Sequence, residues 1–183
     1  SNTEVGWISG VYYAGYVVAV PVLVSLTDRM DARRIYLVCM AVSVVSALGF
    51  ALLAHGLWSG SLWRFLQGVG LAGTYMPGLK ALTDRLPEES HSRGVAFYTS
   101  SFGIGSSLSF LIAGEIDALL DWRWAFALSA AGPAIAFAIA AWILKPRPVT
   151  GAPPSASLLD FRPVFRNRRV IAYTLAYCVH NAE

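Results

Sequence analysis

Charge is scarce in this chain. Only 14% of its 183 residues are Asp, Glu, Lys or Arg, against about 25% in a soluble domain. A further 56% are hydrophobic, and mean hydropathy is +0.54. That composition excludes a water-soluble globule. Cysteine is also rare: Cys39 and Cys178 both fall inside apolar runs, with no disulfide framework and no metal-site spacing, and read as small buried hydrophobes. No phosphate-cradling glycine loop is present, so ATP-driven transport would need another chain. The apolar runs up to residue 144 hold no interior carboxylate and no Cys/His cluster, which argues against an intramembrane aspartyl or metalloprotease. No catalytic residue, metal or cofactor is expected. A signal-peptide pattern and an initiator Met are both missing. The chain opens in a polar linker and stops inside an apolar run, so it is expected to be an internal part of a longer protein.

What is abundant is apolar sequence in runs of membrane length, since about 20 such residues cross the ~30 Å hydrocarbon core as a helix. The runs place spans at 5–27, 35–55, 61–83, 94–114 and 123–144, with another starting near 169. The fold class is therefore an all-α polytopic membrane protein, about five complete transmembrane helices plus the start of one more. The Pro-, Ala- and Ser-rich stretch 145–168 is the one linker long enough to separate domains.

Basic residues fix the orientation. Arg29, Arg33, Arg34, Arg85, Arg93, Lys145, Arg147, Arg162, Arg166, Arg168 and Arg169 lie on one side, Arg123 alone on the other. Linkers 28–34, 84–93 and 145–168 are thus cytoplasmic. Trp7, Trp58, Trp63, Trp122 and Trp124 gather near the outer face, as an aromatic belt would. The net charge of +3 comes from basic residues at the ends of apolar runs, not from a polar face, which argues against nucleic acid. The surroundings expected are a lipid bilayer, in a bacterial inner (plasma) membrane.

Glycines punctuate the first, third and fourth spans (Gly6, Gly10, Gly15; Gly68, Gly70, Gly73, Gly78; Gly103, Gly105, Gly114), where close backbone approach replaces a hydrophobic drive. Those three helices are expected inside the bundle, with the second and fifth facing lipid. Pro133 is expected to kink the fifth.

Two groups of residues carry candidate function. In 28–34, five charges occupy seven residues. Asp28 there ends a helix whose dipole disfavours an anion, so it needs a basic partner (Arg29, Arg33 or Arg34) or another helix's N-terminus. Leu82-Thr83-Asp84-Arg85-Leu86 echoes Leu26-Thr27-Asp28-Arg29-Met30 on the same membrane side. Together with Arg93 these charges form either a closable electrostatic latch or ordinary solvated helix ends. The second group surrounds Arg64, about one turn into its span. Gln67, Gly68, Leu71, Tyr75 and Gly78 follow at three- and four-residue spacing, which suits a water-filled cavity. Snorkelling to the interface is the alternative for Arg64, and the expected role of Lys80. Tyr173, Tyr177, His180 and Glu183 share one face of the last run, with Glu183 ~21 Å in at 1.5 Å per residue. Arg64 and Glu183 are expected to line one cavity, and His180 either joins a proton relay or packs as an ordinary hydrogen-bonded side chain.

These motifs resemble the major facilitator superfamily over essentially the whole chain. Leu26, Asp28, Arg29 and Arg33 match its signature Gly-x-Leu-Ala-Asp-Arg-x-Gly-Arg-Arg between the second and third helices. Val24 and Asp31 replace its glycines, and Ala32 its first late Arg. Arg64-Phe65-Leu66-Gln67-Gly68 is similar to the fourth-helix Arg-x-x-x-Gly motif, and Asp121-Trp122-Arg123-Trp124-Ala125-Phe126 to the Trp-Arg-Trp-x-Phe start of the sixth. The resemblance implies that the spans are the second to sixth of twelve, that 145–168 is the central cytoplasmic loop, and that 169–183 begins the first helix of the C-terminal half. It implies a non-enzymatic secondary transporter moving a small solute by alternating access, with a coupling proton and the C-terminal half as further partners. It also implies that the Asp28 latch stabilises the outward-facing state and that Arg64 serves coupling. The antiporter motif Gly-Pro-x-x-Gly-Gly is absent from 94–114, which disfavours proton antiport. A membrane sensor or scaffold of the same architecture is the alternative, and an intramembrane enzyme would need catalytic groups outside this sequence.

Overall fold

The computed structural model describes residues 2–148, 158, 160 and 162–180, all of them in helices, turns or short connections. The helices are α1 (Asn2–Leu26), α2 (Ala32–Leu53), α3 (Leu57–Thr83), α4 (His91–Leu119), α5 (Trp122–Ser129), α6 (Ala131–Ile143), α7 (Arg162–Arg166) and α8 (Arg168–His180). Four segments are long and apolar enough to cross a membrane: Thr3–Leu26, Ala32–Leu53, Glu88–Leu119 and Trp122–Ile143. The expected span at 61–83 is helical too, and its 27 residues reach roughly 40 Å at 1.5 Å per residue. It falls short on apolarity because it carries Arg64, Gln67, Lys80 and a row of glycines.

That deficit matches its position. α3 packs along α1 on one side and α2 on the other, so little of it needs to meet lipid. The glycines make this possible. A methyl group at Gly68 would collide with the Tyr12 carbonyl of α1, and one at Gly15 of α1 would collide with the Phe65 carbonyl of α3. On the opposite face, Gly70 and Gly73 leave room for Ser43 and Cys39 of α2. Cys39 is accordingly buried, as its apolar setting suggested.

Burial within this chain differs from the expected assignment of interior and lipid-facing helices. α2, expected to face lipid, is packed by α3, α5 and α6 and buries Ala32, Ile35, Cys39, Ser46 and Ala47 among others. α4, expected inside, buries none of its residues, and nothing lies within 4 Å of where side chains at Gly103, Gly105 or Gly114 would begin. Small residues permit close approach but do not compel it. Cys178 also departs from expectation: it is exposed, because α8 packs against none of α1 to α6 among the described residues.

The expected kink in the fifth span is a break at Ala130, between α5 and α6. Pro133 has no N–H for the carbonyl four residues earlier, that of Ser129, and its ring crowds the same carbonyl. The helix therefore stops one turn before the proline and restarts with the Ala134 N–H bonding the Ala130 carbonyl at 3.1 Å.

Two arginines stitch this broken span to α2. Arg33, at the start of α2, donates through Nη2 to the Ala141 carbonyl near the end of α6, at 2.9 Å. Arg123, at the start of α5, donates to the Ala51 and Ala54 carbonyls at the end of α2, at 2.9 and 3.3 Å. Each arginine follows an N-cap aspartate, Asp31 or Asp121, whose carboxylate accepts the arginine's own backbone N–H. Each helix start thus caps the other helix's end.

Gly68→Ala or Gly73→Ala is expected to lower stability by about 1–3 kcal/mol through forced separation of packed backbones. Gly103→Ala is expected to stay within about 0.5 kcal/mol of the parent. Thermal unfolding of the detergent-solubilised protein checks both.

Candidate functional site

At the end of the bundle that carries the α1–α2 turn, the residue that gathers partners is Asp31. It ends the α1–α2 turn as the N-cap of α2 and accepts the Arg33 backbone N–H at 3.0 Å. Arg85, just past the end of α3, places Nη2 3.0 and 3.1 Å from its two carboxylate oxygens. The Arg147 backbone N–H donates to Oδ2 at 2.8 Å. Arg85 also donates to the Lys145 carbonyl at 2.8 and 3.1 Å and to the Ala81 carbonyl at 3.0 Å. Three segments therefore meet at one ion pair: the α1–α2 turn, the end of α3 and the strand of chain leaving α6. Its side chains are only 8% (Asp31) and 16% (Arg85) exposed. Burial pushes the Asp31 carboxyl up, but hydrogen bonds from the Arg147 and Arg33 N–H groups and from Arg85 outweigh it, and the net shift is below the usual carboxylate range.

This geometry differs from the latch expected around Asp28. Asp28 is exposed, and its carboxylate takes part in no hydrogen bond or ion pair among the described residues. Its expected conflict with the helix dipole is relieved in another way: α1 ends at Leu26, Thr27 Oγ1 donates to the Val24 carbonyl at 2.7 Å, and water solvates the carboxylate. Asp84 pairs with Lys80 at 3.3 Å instead of with a neighbouring arginine, so Lys80 is an ion-pair partner. Arg34 and Arg93 are exposed, as is Arg29. A cavity of about 520 Å³, lined by Asp31, Lys80, Asp84, Glu88, His91 and Arg147 among others, opens beside this cluster.

Inside the span, Arg64 donates through Nη1 to Gln67 Oε1 at 2.7 Å. Its guanidinium carbon lies 4.6 Å from the ring centre of Tyr12, 5.4 Å from Phe126 and 5.9 Å from Phe50, within cation–π range of three rings. It is turned into the bundle, away from the interface that snorkelling would require. A cavity of about 340 Å³ lies alongside, lined by Tyr12, Met40, Ser43, Arg64, Gln67, Leu71, Thr74 and, from α6, Gly132, Pro133 and Ala136.

Gly68 and Tyr75 do not join it. Gly68 is spent on the contact with α1, and Tyr75 turns toward α4, where its ring meets Tyr98 and Phe102 at 6.0 and 5.4 Å. At ~100° per residue Tyr75 lies only about 20° from Arg64 on the helix, so the face is shared, but three turns further along it meets α4 instead of the cavity. Tyr98 adds a contact that sequence reading missed. Its hydroxyl is 3.0 Å from both the Thr74 and Tyr75 carbonyls, in the turn before the buried Pro77, while Gly78 leaves it room. Tyr177 lies on α8, away from α1 to α6 and 70% exposed. The His180 side chain and Glu183 lie outside the described residues, so the expected pairing of Glu183 with Arg64 does too. Tyr12, Ser43 and Thr74 gave no sequence signal, being single polar residues on other helices. Asp31 had one, an Asp immediately before an apolar helical run.

The family model described as Major Facilitator Superfamily matches residues 1–182. The chain is 26% identical over 154 residues to a probable sphingolipid transporter, spinster homolog 2, of Arabidopsis thaliana, covering 84% of this chain and 31% of that protein. It is 28% identical over 130 residues to an uncharacterized MFS-type transporter of Escherichia fergusonii (69% and 34%). A further uncharacterized MFS-type transporter, of Mycobacterium tuberculosis, is 31% identical over 147 residues (78% and 24%). The chain thus spans about a third or less of the length of these relatives.

Asp31→Asn is expected to cost about 1–3 kcal/mol, the scale of a lost hydrogen-bonded charge. Lys80→Ala, breaking the more exposed pair, is expected to cost under about 0.5 kcal/mol. Because the Asp31 carboxyl is lowered on folding, its contribution is complete above the usual carboxylate pKa near ~4 and lost as pH falls through the folded value. The difference in melting temperature between the parent and Asp31→Asn is therefore expected to shrink on acidification below that point.

Proposed function

The chain belongs to the Major Facilitator Superfamily, and on that premise we propose that it supplies part of a secondary transporter moving a small solute by alternating access. The observation that carries this reading is Arg64, a cation inside the span, hydrogen-bonded to Gln67 and bordering a cavity of about 340 Å³. A charge at such a depth is costly, and in an apolar bundle it marks a path for solute or ion. Arg64 would hold a negatively charged group of the solute, or its counter-charge during proton coupling, while Tyr12, Ser43, Gln67 and Thr74 offer hydrogen bonds around it. Aliphatic walls at Met40 and Leu71 suit a solute with an apolar body, in keeping with the sphingolipid named for the Arabidopsis relative.

The cytoplasmic gate, in this reading, is centred on Asp31 and Arg85. Asp28, Arg34 and Arg93 are exposed and would meet the other half of the transporter. Transport in place of catalysis fits the family, and the chain is an integral membrane protein. The basic linkers 28–34 and 84–93 face the cytoplasm by the charge count.

The test is uptake or counterflow by the full-length protein in proteoliposomes. Arg64→Ala is expected to lower the transport rate on the order of tenfold or more, the loss of one charge-assisted hydrogen bond, and Arg64→Lys to restore only part of it. A flat response of the parent across anionic and zwitterionic solutes would favour the sensor or scaffold.

A further inference from the structure

Arg166, Arg168 and Arg169 surround Asn167 at the start of α8, and these four residues line one concavity of about 540 Å³. Arg162 stands a turn earlier in α7. All four arginines are exposed, and among the described residues none of their guanidinium groups is hydrogen-bonded or ion-paired. The arrangement is electrostatically unfavourable as it stands. Three cations fall within four residues, and two of them occupy the first turn of α8, which contains no acidic residue. A helix start carries about half a positive charge, so Arg168 and Arg169 sit at the end that repels them. The nearby Asp160 is turned to the Arg162 backbone N–H, at 3.1 Å. Asn167 Oδ1 already serves the N–H groups of Arg169 and Val170, at 3.1 and 3.4 Å, so the backbone donors there are occupied and the free donors are the guanidiniums.

Such a cluster needs an external anion, and its position selects which. α8 opens an apolar run, and the Arg/Lys count assigns its start to the cytoplasmic face, which would put its first turn at headgroup depth. Phe165, 74% exposed, lies between Arg162 and Arg166 as an apolar residue suited to the same boundary. Polybasic segments at that level bind anionic headgroups, at ~1 kcal/mol per Lys or Arg.

We infer that Arg166, Arg168 and Arg169, with Arg162 and Phe165, form a binding surface for the phosphate of an anionic phospholipid in the cytoplasmic leaflet. The site is separate from the Arg64 cavity and does not depend on the function proposed for it.

Native mass spectrometry of the full-length protein, in micelles doped with equal phosphatidylglycerol and phosphatidylcholine, tests this. Retention of phosphatidylglycerol over phosphatidylcholine is expected for the parent. Arg166→Gln, Arg168→Gln and Arg169→Gln should each weaken the preference about fivefold, equivalent to ~1 kcal/mol each. The triple Arg→Lys variant should keep most of it, which separates charge from misfolding. Inorganic phosphate at the same concentration should not displace the lipid. An unchanged lipid preference in the glutamine variants would overturn the inference, as would full displacement by inorganic phosphate, which would mark a site for a soluble anion.

Discussion

Inside a bilayer no water is available to hydrogen-bond a backbone carbonyl, so every helix end or break must find its donor within the chain. Much of this structure follows from that requirement. Arg33 reaches the end of α6, Arg123 the end of α2, and Arg85 both the last turn of α3 and the Lys145 carbonyl beyond α6. Tyr98 does the same for the turn of α3 that Pro77 disturbs. Long polar side chains are rare in this sequence, and several of those present are used as carbonyl caps between helices. The caps also dictate neighbours, because a side chain that closes another helix's end fixes the two helices in register.

Within that frame, α3 is the element around which the rest is arranged. Its glycines bring α1 and α2 to backbone contact on two faces, and Arg64, Gln67 and Thr74 are left to face a cavity. The ring cage on Arg64 draws one member each from α1, α2 and α5, so the cation's surroundings depend on all three packing correctly against α3. A side chain in that position is tolerated because aromatic faces and Gln67 replace the water it has lost.

The helices and their approximate positions were legible in the sequence, since run length reports directly on what can cross a membrane. The break near Pro133 was legible as well, because a missing N–H acts locally. Lateral packing was not. Glycines at Gly103 and Gly105 look the same in sequence as those at Gly68 and Gly73, yet only the latter meet a neighbour. The charged turn is legible by its pattern, but the family signature points to Asp28, whereas Asp31, which departs from it, holds the ion pair. The difference is one of position: Asp31 caps a helix and faces Arg85, whereas Asp28 projects into water. Which of several clustered charges is buried depends on where the chain leaving α6 passes, and that is a tertiary fact.

The two Asp-x-Arg starts, Asp31-Ala32-Arg33 and Asp121-Trp122-Arg123, perform the same task on opposite membrane faces. Exchanging α2 with the α5–α6 span by a half-turn in the membrane plane leaves the arginine staples in place. The seam between them therefore holds no information about inside and outside; it would be as well satisfied upside down. Sidedness must come from asymmetry elsewhere, and the sequence offers one in the uneven distribution of Arg and Lys between linkers. Arg33, Arg85 and Arg123 count toward both packing and sidedness, but exposed linker arginines such as Arg34 and Arg93 hold no seam, and a chain that lost only those is expected to fold as tightly while inserting with less bias.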